Sequence, residues 1–131
     1  MKEILLALFL ASQSYGISYE LLYAIAKVES NLNPRAVSVN RNGTVDIGLM
    51  QINSYWVRKY GLKEEWLFDP FYNAMWGAYI LRLCINKFGN SWKAIDCYNK
   101  GQAKAKNRSS YTFRVCKILY GGEKCVKYWQ D

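Results

Sequence analysis

Two carboxylates stand out in a 131-residue chain that has no histidine. Glu29 lies in "KVESNLNP" and Asp46 seventeen residues later in "TVDIGLMQIN". Without histidine, Ser-His-Asp and Cys-His nucleophilic sites, HExxH zinc sites and imidazole general acids are all excluded. Acid/base chemistry has to rest on Asp, Glu, Lys, Tyr or Cys. A carboxylic acid that protonates a leaving-group oxygen, set across from a second carboxylate kept ionised, is the arrangement for glycoside cleavage, and the separation of the two decides its stereochemical course. Sequence spacing does not give that separation. Each residue also has a plain structural reading, Glu29 as a rim glutamate paired to a lysine and Asp46 as a turn-stabilising aspartate.

The elements that must hold them follow from local signals. Ser18 caps a helix from about Tyr19 to Ser30, with Glu20 in its first turn and Leu21, Leu22, Ile25 and Val28 on its apolar face. "NLNP" is expected to end it, because the residue before Pro34 resists helical geometry. Glu29, four residues after Ile25, then leaves the helix on or beside the buried face, where desolvation and the negative helix end favour a protonated acid. "VSVNRNGTVDI" alternates around Asn42-Gly43 and predicts a hairpin with Val45 and Ile47 on one face and Asp46 on the other. Gly48 lets a backbone approach a ligand closely, and Gln51 and Asn53 offer amides for sugar hydroxyl and acetamido groups. Asn53 or Ser54 starts a short helix, "SYWVRKY", closed by Gly61, and a role for Asn53 as its N-cap does not exclude a second one.

Asp69 and Pro70 open a long helix with Trp76, Ile80, Leu81, Cys84 and Phe88 as apolar positions, stopped by Gly89. Ser91 opens a helix to about Asn99, where Tyr98 and Asn99 are either caps and core or the wall of a cleft. Ser109 or Ser110 opens a last helix through about Tyr120, ended by Gly121 and Gly122. The expected fold class is mainly α, a helical single domain of about residues 15–131 with one small β-hairpin. A hydrophobic content of 51% and only two prolines support a packed core.

Residues 1–14, "MKEILLALFLASQS", read as a minimal signal peptide or as a first apolar helix of the domain. The apolar run is too short to span a bilayer, so no transmembrane segment is expected. The net charge is +8, and the segment from Lys100 onward sets eight Lys or Arg against Glu123 and Asp131. That tail either attracts a polyanion, such as nucleic acid, anionic lipid or cell-wall polymer, or serves as solubilising charge. Cys84, Cys97, Cys116 and Cys125 show no CxxC pairing, so zinc is not expected, and neither is any other metal or cofactor. They are buried thiols or form up to two disulfides, with three complete pairings open.

"AIAKVESNLNP", "DIGLMQIN" and "CYNKG" resemble, in the same order, the three motifs of the soluble lytic transglycosylase family, which has a lysozyme-like fold. The resemblance runs from about Tyr15 to Tyr120 and points to the small specialised members that serve type III or type IV secretion, conjugation or pilus systems. It implies that Glu29 is the catalytic acid/base and that Ser30 helps to orient it. Gly48, Leu49, Met50, Gln51 and Asn53, with Tyr98 and Asn99, would line a glycan cleft, and Tyr111 would approach the catalytic carboxyl. The implied reaction cleaves the β-1,4 bond between N-acetylmuramic acid and N-acetylglucosamine in peptidoglycan and forms a 1,6-anhydro ring. The implied setting is a monomer, periplasmic or exported in a bacterium, with peptidoglycan strands and secretion or conjugation apparatus components as partners and no specific nucleic acid.

The stretch from Glu29 to Trp56 is also similar to c-type lysozymes, including the Glu-to-Asp spacing, which leaves hydrolysis by Glu29 and Asp46 open. A non-catalytic peptidoglycan-binding assembly module is a third reading. Cys97 stands where the family usually has alanine. The bridge from an early cysteine to the position of Phe71, frequent in secretion-associated relatives, is absent.

Overall fold

The computed structural model describes residues 1–129, the side chain of residue 128 excepted. Helices α1 (Lys2–Tyr15) and α2 (Tyr19–Ser30) come first, followed by strands β1 (Val37–Val39), β2 (Val45–Ile47) and β3 (Ile52–Asn53). Next come α3 (Ser54–Tyr60), a 3-10 turn (Glu64–Phe68), α4 (Pro70–Phe88) and α5 (Trp92–Lys100), then a second 3-10 turn (Gln102–Lys104), α6 (Ser110–Tyr120) and α7 (Gly122–Trp129). The fold is mainly helical with a small antiparallel sheet, in line with the class expected from sequence. Contacts divide the chain into two compact units, Met1–Ala78 and the part from Tyr79 onward.

In the first unit α1 packs on α2 through Ile4, Ala7, Leu8, Ala11 and Ser12, the i, i+3, i+4, i+7, i+8 stripe of an amphipathic helix. Gly16 ends it in the left-handed conformation. Helix α2 begins as its sequence predicts, with the Ser18 hydroxyl accepting the Leu21 N–H. Its end is different. The chain leaves the helix at Asn31 and Leu32, with φ of 55° and 63°, before Pro34 exerts any effect. Asparagine tolerates this region; a leucine there is strained and is held by its burial.

The sheet has three strands in the order β1-β2-β3, where sequence predicts a two-stranded hairpin. Strand β3 pairs Asn53 with Asp46 and Ile52 with Ile47, a partnership that two residues cannot announce by alternation alone. Wholly buried Leu8, Leu22, Ile25, Leu49, Met50, Ile52 and Leu67 form this unit's core. Gly77 lies against Met50, and any side chain there would collide with its sulfur.

In the second unit Ser91 caps α5 and Ser109 caps α6 in a capping box with Thr112. Leu81, Tyr111, Thr112 and Val115 are buried to 2% exposure or less. Helix α6 does end at Gly121, yet it is not the last, because Gly122 opens α7. Two glycines signal a stop locally, but the Cys116–Cys125 disulfide ties α7 back to α6. The other bridge is Cys84–Cys97, between α4 and α5, so the free-thiol reading is set aside and one of the three pairings is selected.

Candidate active site

The last turn of α2 carries Glu29 and Ser30, both half-buried. Ser30 Oγ donates to the backbone carbonyl of Leu49 at 2.6 Å, with the Ala26 carbonyl a longer acceptor at 3.2 Å, and it accepts the Asn33 N–H at 3.1 Å. One hydroxyl thereby links the segment beside Glu29 to the turn between β2 and β3. Among the described residues, the non-glycine positions with positive φ are Asn31, Leu32 and Gln51, all in these two segments. Backbone strain of this kind persists only where neighbours over-determine it.

The Gly48–Gln51 turn is fixed from several sides. Gly48 has φ of 79°, and an added Cβ would strike Asn73 Nδ2 and the Leu67 carbonyl. Met50 N–H donates to Asn73 Oδ1 at 2.8 Å. The Gln51 amide ties the turn to the β1 segment: Nε2 donates to the carbonyls of Ala36 and Gly48, and Oε1 accepts from Ser38 Oγ at 2.7 Å. Leu49 and Met50 are wholly buried. Their side chains are core.

Asp46 is half-buried on β2, in register with Ser38 on β1 and Asn53 on β3, so the three side chains share one face of the sheet. Both carboxylate oxygens are engaged: Oδ1 accepts from Asn53 Nδ2 at 2.8 Å and Oδ2 from Asn40 Nδ2 at 3.1 Å. Asn53 has two jobs, since its Oδ1 also accepts the Tyr55 N–H and caps α3. The cap and the amide donor are thus compatible roles of one side chain.

In the second unit Tyr98 is half-buried and Asn99 exposed near the end of α5, and Tyr111 is buried on α6. Lys100 Nζ and the Arg114 guanidinium each lie 5.9 Å from the Tyr111 ring centroid.

Sequence reasoning missed three polar residues. Asn73 is fully buried; besides Met50 it serves the carbonyls of Ile47 and Leu67, both at 2.9 Å. Asn40 holds Asp46. Asp96, with no exposed side chain, accepts from Lys100, from Ser109 Oγ at 2.6 Å and from the Lys106 N–H at 2.7 Å. Burial works to raise its pKa, but the hydrogen bonds from Lys100, Ser109 and Lys106, with the Lys100 charge, outweigh it and hold the carboxyl below its ordinary value. A polar residue inside an apolar helical stripe was the available signal for Asn73 and Asp96.

Among the described residues no group of three His, Cys, Asp or Glu is placed to hold a metal ion. None of the described helices is long and apolar enough to cross a membrane.

Known proteins are similar to this chain. Invasion protein IagB of Salmonella typhimurium is 41% identical over 121 residues, covering 89% of this chain and 74% of that protein. Protein IpgF of Shigella flexneri is 38% identical over 107 residues, covering 77% and 70%. A solved structure of an inactive mutant of the lytic transglycosylase Slt from Pseudomonas aeruginosa matches 95% of this chain with a TM-score of 0.64 at 21% identity, a likeness of fold. This chain spans about a quarter of that one, 23% of its length. The Transglycosylase SLT domain model matches residues 7–119. The chain therefore belongs to the transglycosylase SLT domain family and is an enzyme of the lytic transglycosylase type.

Proposed function

We propose that the chain cleaves the β-1,4 bond between N-acetylmuramic acid and N-acetylglucosamine in peptidoglycan, with Glu29 as its acid and then its base. The observation that carries this reading is the Ser30 hydroxyl bond to Leu49, which fixes the helix end bearing Glu29 against the Gly48–Asn53 segment of the motif. Protonated Glu29 gives its proton to the glycosidic oxygen as the carbon–oxygen bond breaks through an oxocarbenium-like state. The carboxylate left behind takes the proton of the muramoyl 6-hydroxyl, whose oxygen closes on the anomeric carbon. The products are a free sugar hydroxyl and a 1,6-anhydro end, and no water is consumed. Gly48, Leu49, Met50, Gln51 and Asn53, with Tyr98, Asn99 and Tyr111, are the proposed glycan-binding segments.

One observation favours a second reading. Asp46 has both oxygens held by amide donors, so it stands as a fixed carboxylate of the kind a water-delivering lysozyme uses to stabilise the cation. Mass spectrometry of peptidoglycan digests separates the two, since anhydro ends mark transglycosylation and reducing ends hydrolysis. Glu29→Gln is expected to lower turnover by about two to four powers of ten. Near-normal cleavage by the folded variant would sink the assignment.

The proposed setting is the bacterial periplasm or beyond, as a monomer that opens the wall locally for a secretion, conjugation or pilus apparatus. Two disulfides fit an oxidising compartment, and the similarity to an invasion protein fits the apparatus.

A further inference from the structure

A continuous row of aromatic rings runs along the first unit, starting two residues beyond Asn53. Tyr55 meets Trp56 edge to face with centroids 5.1 Å apart, and Trp56 lies parallel to Tyr60 at 5.9 Å, with 4° between the planes. Tyr60 contacts Trp76 at 5.1 Å, and Tyr72 links Trp76 to Trp66 at 6.5 and 5.8 Å. A buried ring cluster would be core. Here Tyr55 is 50% exposed, Tyr60 38% and Trp66 51%. Aromatic area left in water beside other rings marks an interaction surface.

Charge narrows the occupant. From Tyr55 to Trp66 the cationic residues are Arg58, Lys59 and Lys63 and the acidic ones Glu64 and Glu65, and it is two of the lysines that stand over the rings. Lys59 Nζ stands 5.5 to 5.7 Å from the centroids of Tyr55, Trp56 and Tyr60, and Lys63 Nζ stands 4.9 Å from that of Trp66. An ammonium over an exposed ring is held weakly and is flexibly tethered, so it can turn to a carboxylate while the ring accepts an apolar sugar face. Ring faces for pyranose C–H groups, phenol and indole tips for hydroxyls, and ammonium groups for carboxylates describe one ligand: an amino-sugar strand bearing acidic substituents.

We propose that the row from Tyr55 to Trp66 is a glycan-strand platform, separate from the reacting bond, that grips the polymer beyond the Asp46 and Asn53 face. It rests on the proposed peptidoglycan activity for the identity of the strand. Its effect is to raise affinity for long strands, with little on short ones.

The test is equilibrium binding in a Glu29→Gln background, on purified carboxylate-bearing peptidoglycan strands and on neutral chitin strands of matching length. Tyr55→Ala and Trp66→Ala are each expected to weaken binding to both by about tenfold. Tyr55→Leu, which keeps apolar bulk and removes the ring, should do the same and guards against misfolding. Lys59→Gln with Lys63→Gln should weaken binding to the charged strands alone, with a loss that fades as salt rises. In the active enzyme, Trp66→Ala should lower kcat/KM on the polymer and leave a short soluble substrate unchanged. Wild-type affinity in ring variants with unchanged thermal midpoints overturns the proposal, as does tighter binding of a single-stranded oligonucleotide than of glycan. Cleavage by Glu29→Gln would count against the catalytic assignment while leaving these binding losses as they are, so the two ideas fail separately.

Discussion

Asn73 and Met50, twenty-three residues apart, share a fully buried hydrogen bond of 2.8 Å from the Met50 N–H to the Asn73 side-chain oxygen. The same amide donates to the carbonyls of Ile47 and Leu67, so one side chain joins α4, the β2–β3 turn and the first 3-10 turn. Asn73→Leu strands three buried backbone groups at once and is expected to lower stability by about 3 kcal/mol or more, since each orphan costs about 1–3 kcal/mol. Asn73→Asp should be worse at neutral pH, because it turns a carboxylate oxygen toward two carbonyls. Urea denaturation followed by circular dichroism checks both, and a loss below about 1 kcal/mol for the leucine variant would refute this account.

Gly48 and Gly43 form a matched pair for testing close approach. Both have strongly positive φ, 79° and 84°, but a Cβ at Gly43 meets nothing within 4 Å while one at Gly48 strikes Asn73 and Leu67. Gly43→Ala therefore carries backbone strain alone, about 1–2 kcal/mol. Gly48→Ala carries that plus displacement of the buttress, and its midpoint should fall distinctly further in the same denaturation series.

Asn53→Asp keeps the cap of α3, because a carboxylate oxygen can still accept the Tyr55 N–H. It also replaces the amide donor to Asp46 with a second negative charge across the sheet. The variant should approach wild-type stability at a pH where both carboxyls are protonated and fall below it as they ionise. A stability difference that does not grow with pH between 3 and 7 would show that the Asn53 to Asp46 bond contributes nothing.

Asp96 gives the opposite pH dependence. Its folded pKa is held below the ordinary 3.8, so it contributes stability above that value, and the contribution is lost as pH falls through the lower folded value. Lys100 is 31% exposed, so solvent screens the ion pair and most of the effect belongs to the buried acceptor. Asp96→Asn should cost about 2 kcal/mol at pH 7 and flatten the acid limb of the stability curve. An unchanged acid limb would contradict the assignment.

How much of this was legible from residues alone depends on how local each cause is. Ser18, Asn53, Ser91 and Ser109 cap the helices their sequence announces, because a cap involves a side chain and an N–H two or three residues away. Strand β3 and helix α7 were illegible because each depends on a distant partner, Asp46 in one case and Cys116 in the other. Motif order singled out Gly48 to Asn53, but it could not show that Leu49 and Met50 are core or that Gln51 is spent on bonds to Gly48, Ala36 and Ser38. The roles of Asn40 and Asn73 came from tertiary neighbours, which polarity in a sequence does not name.

The cysteines pair in the order in which they occur, the first with the second across thirteen residues and the third with the fourth across nine. In a chain that emerges amino terminus first, the first and third thiols would each find their native partner in the next one to emerge. Oxidation by order of appearance then yields the native set without reshuffling by an isomerase. The first 83 residues, which hold Glu29 and Asp46, contain no cysteine and play no part in that sequence of events.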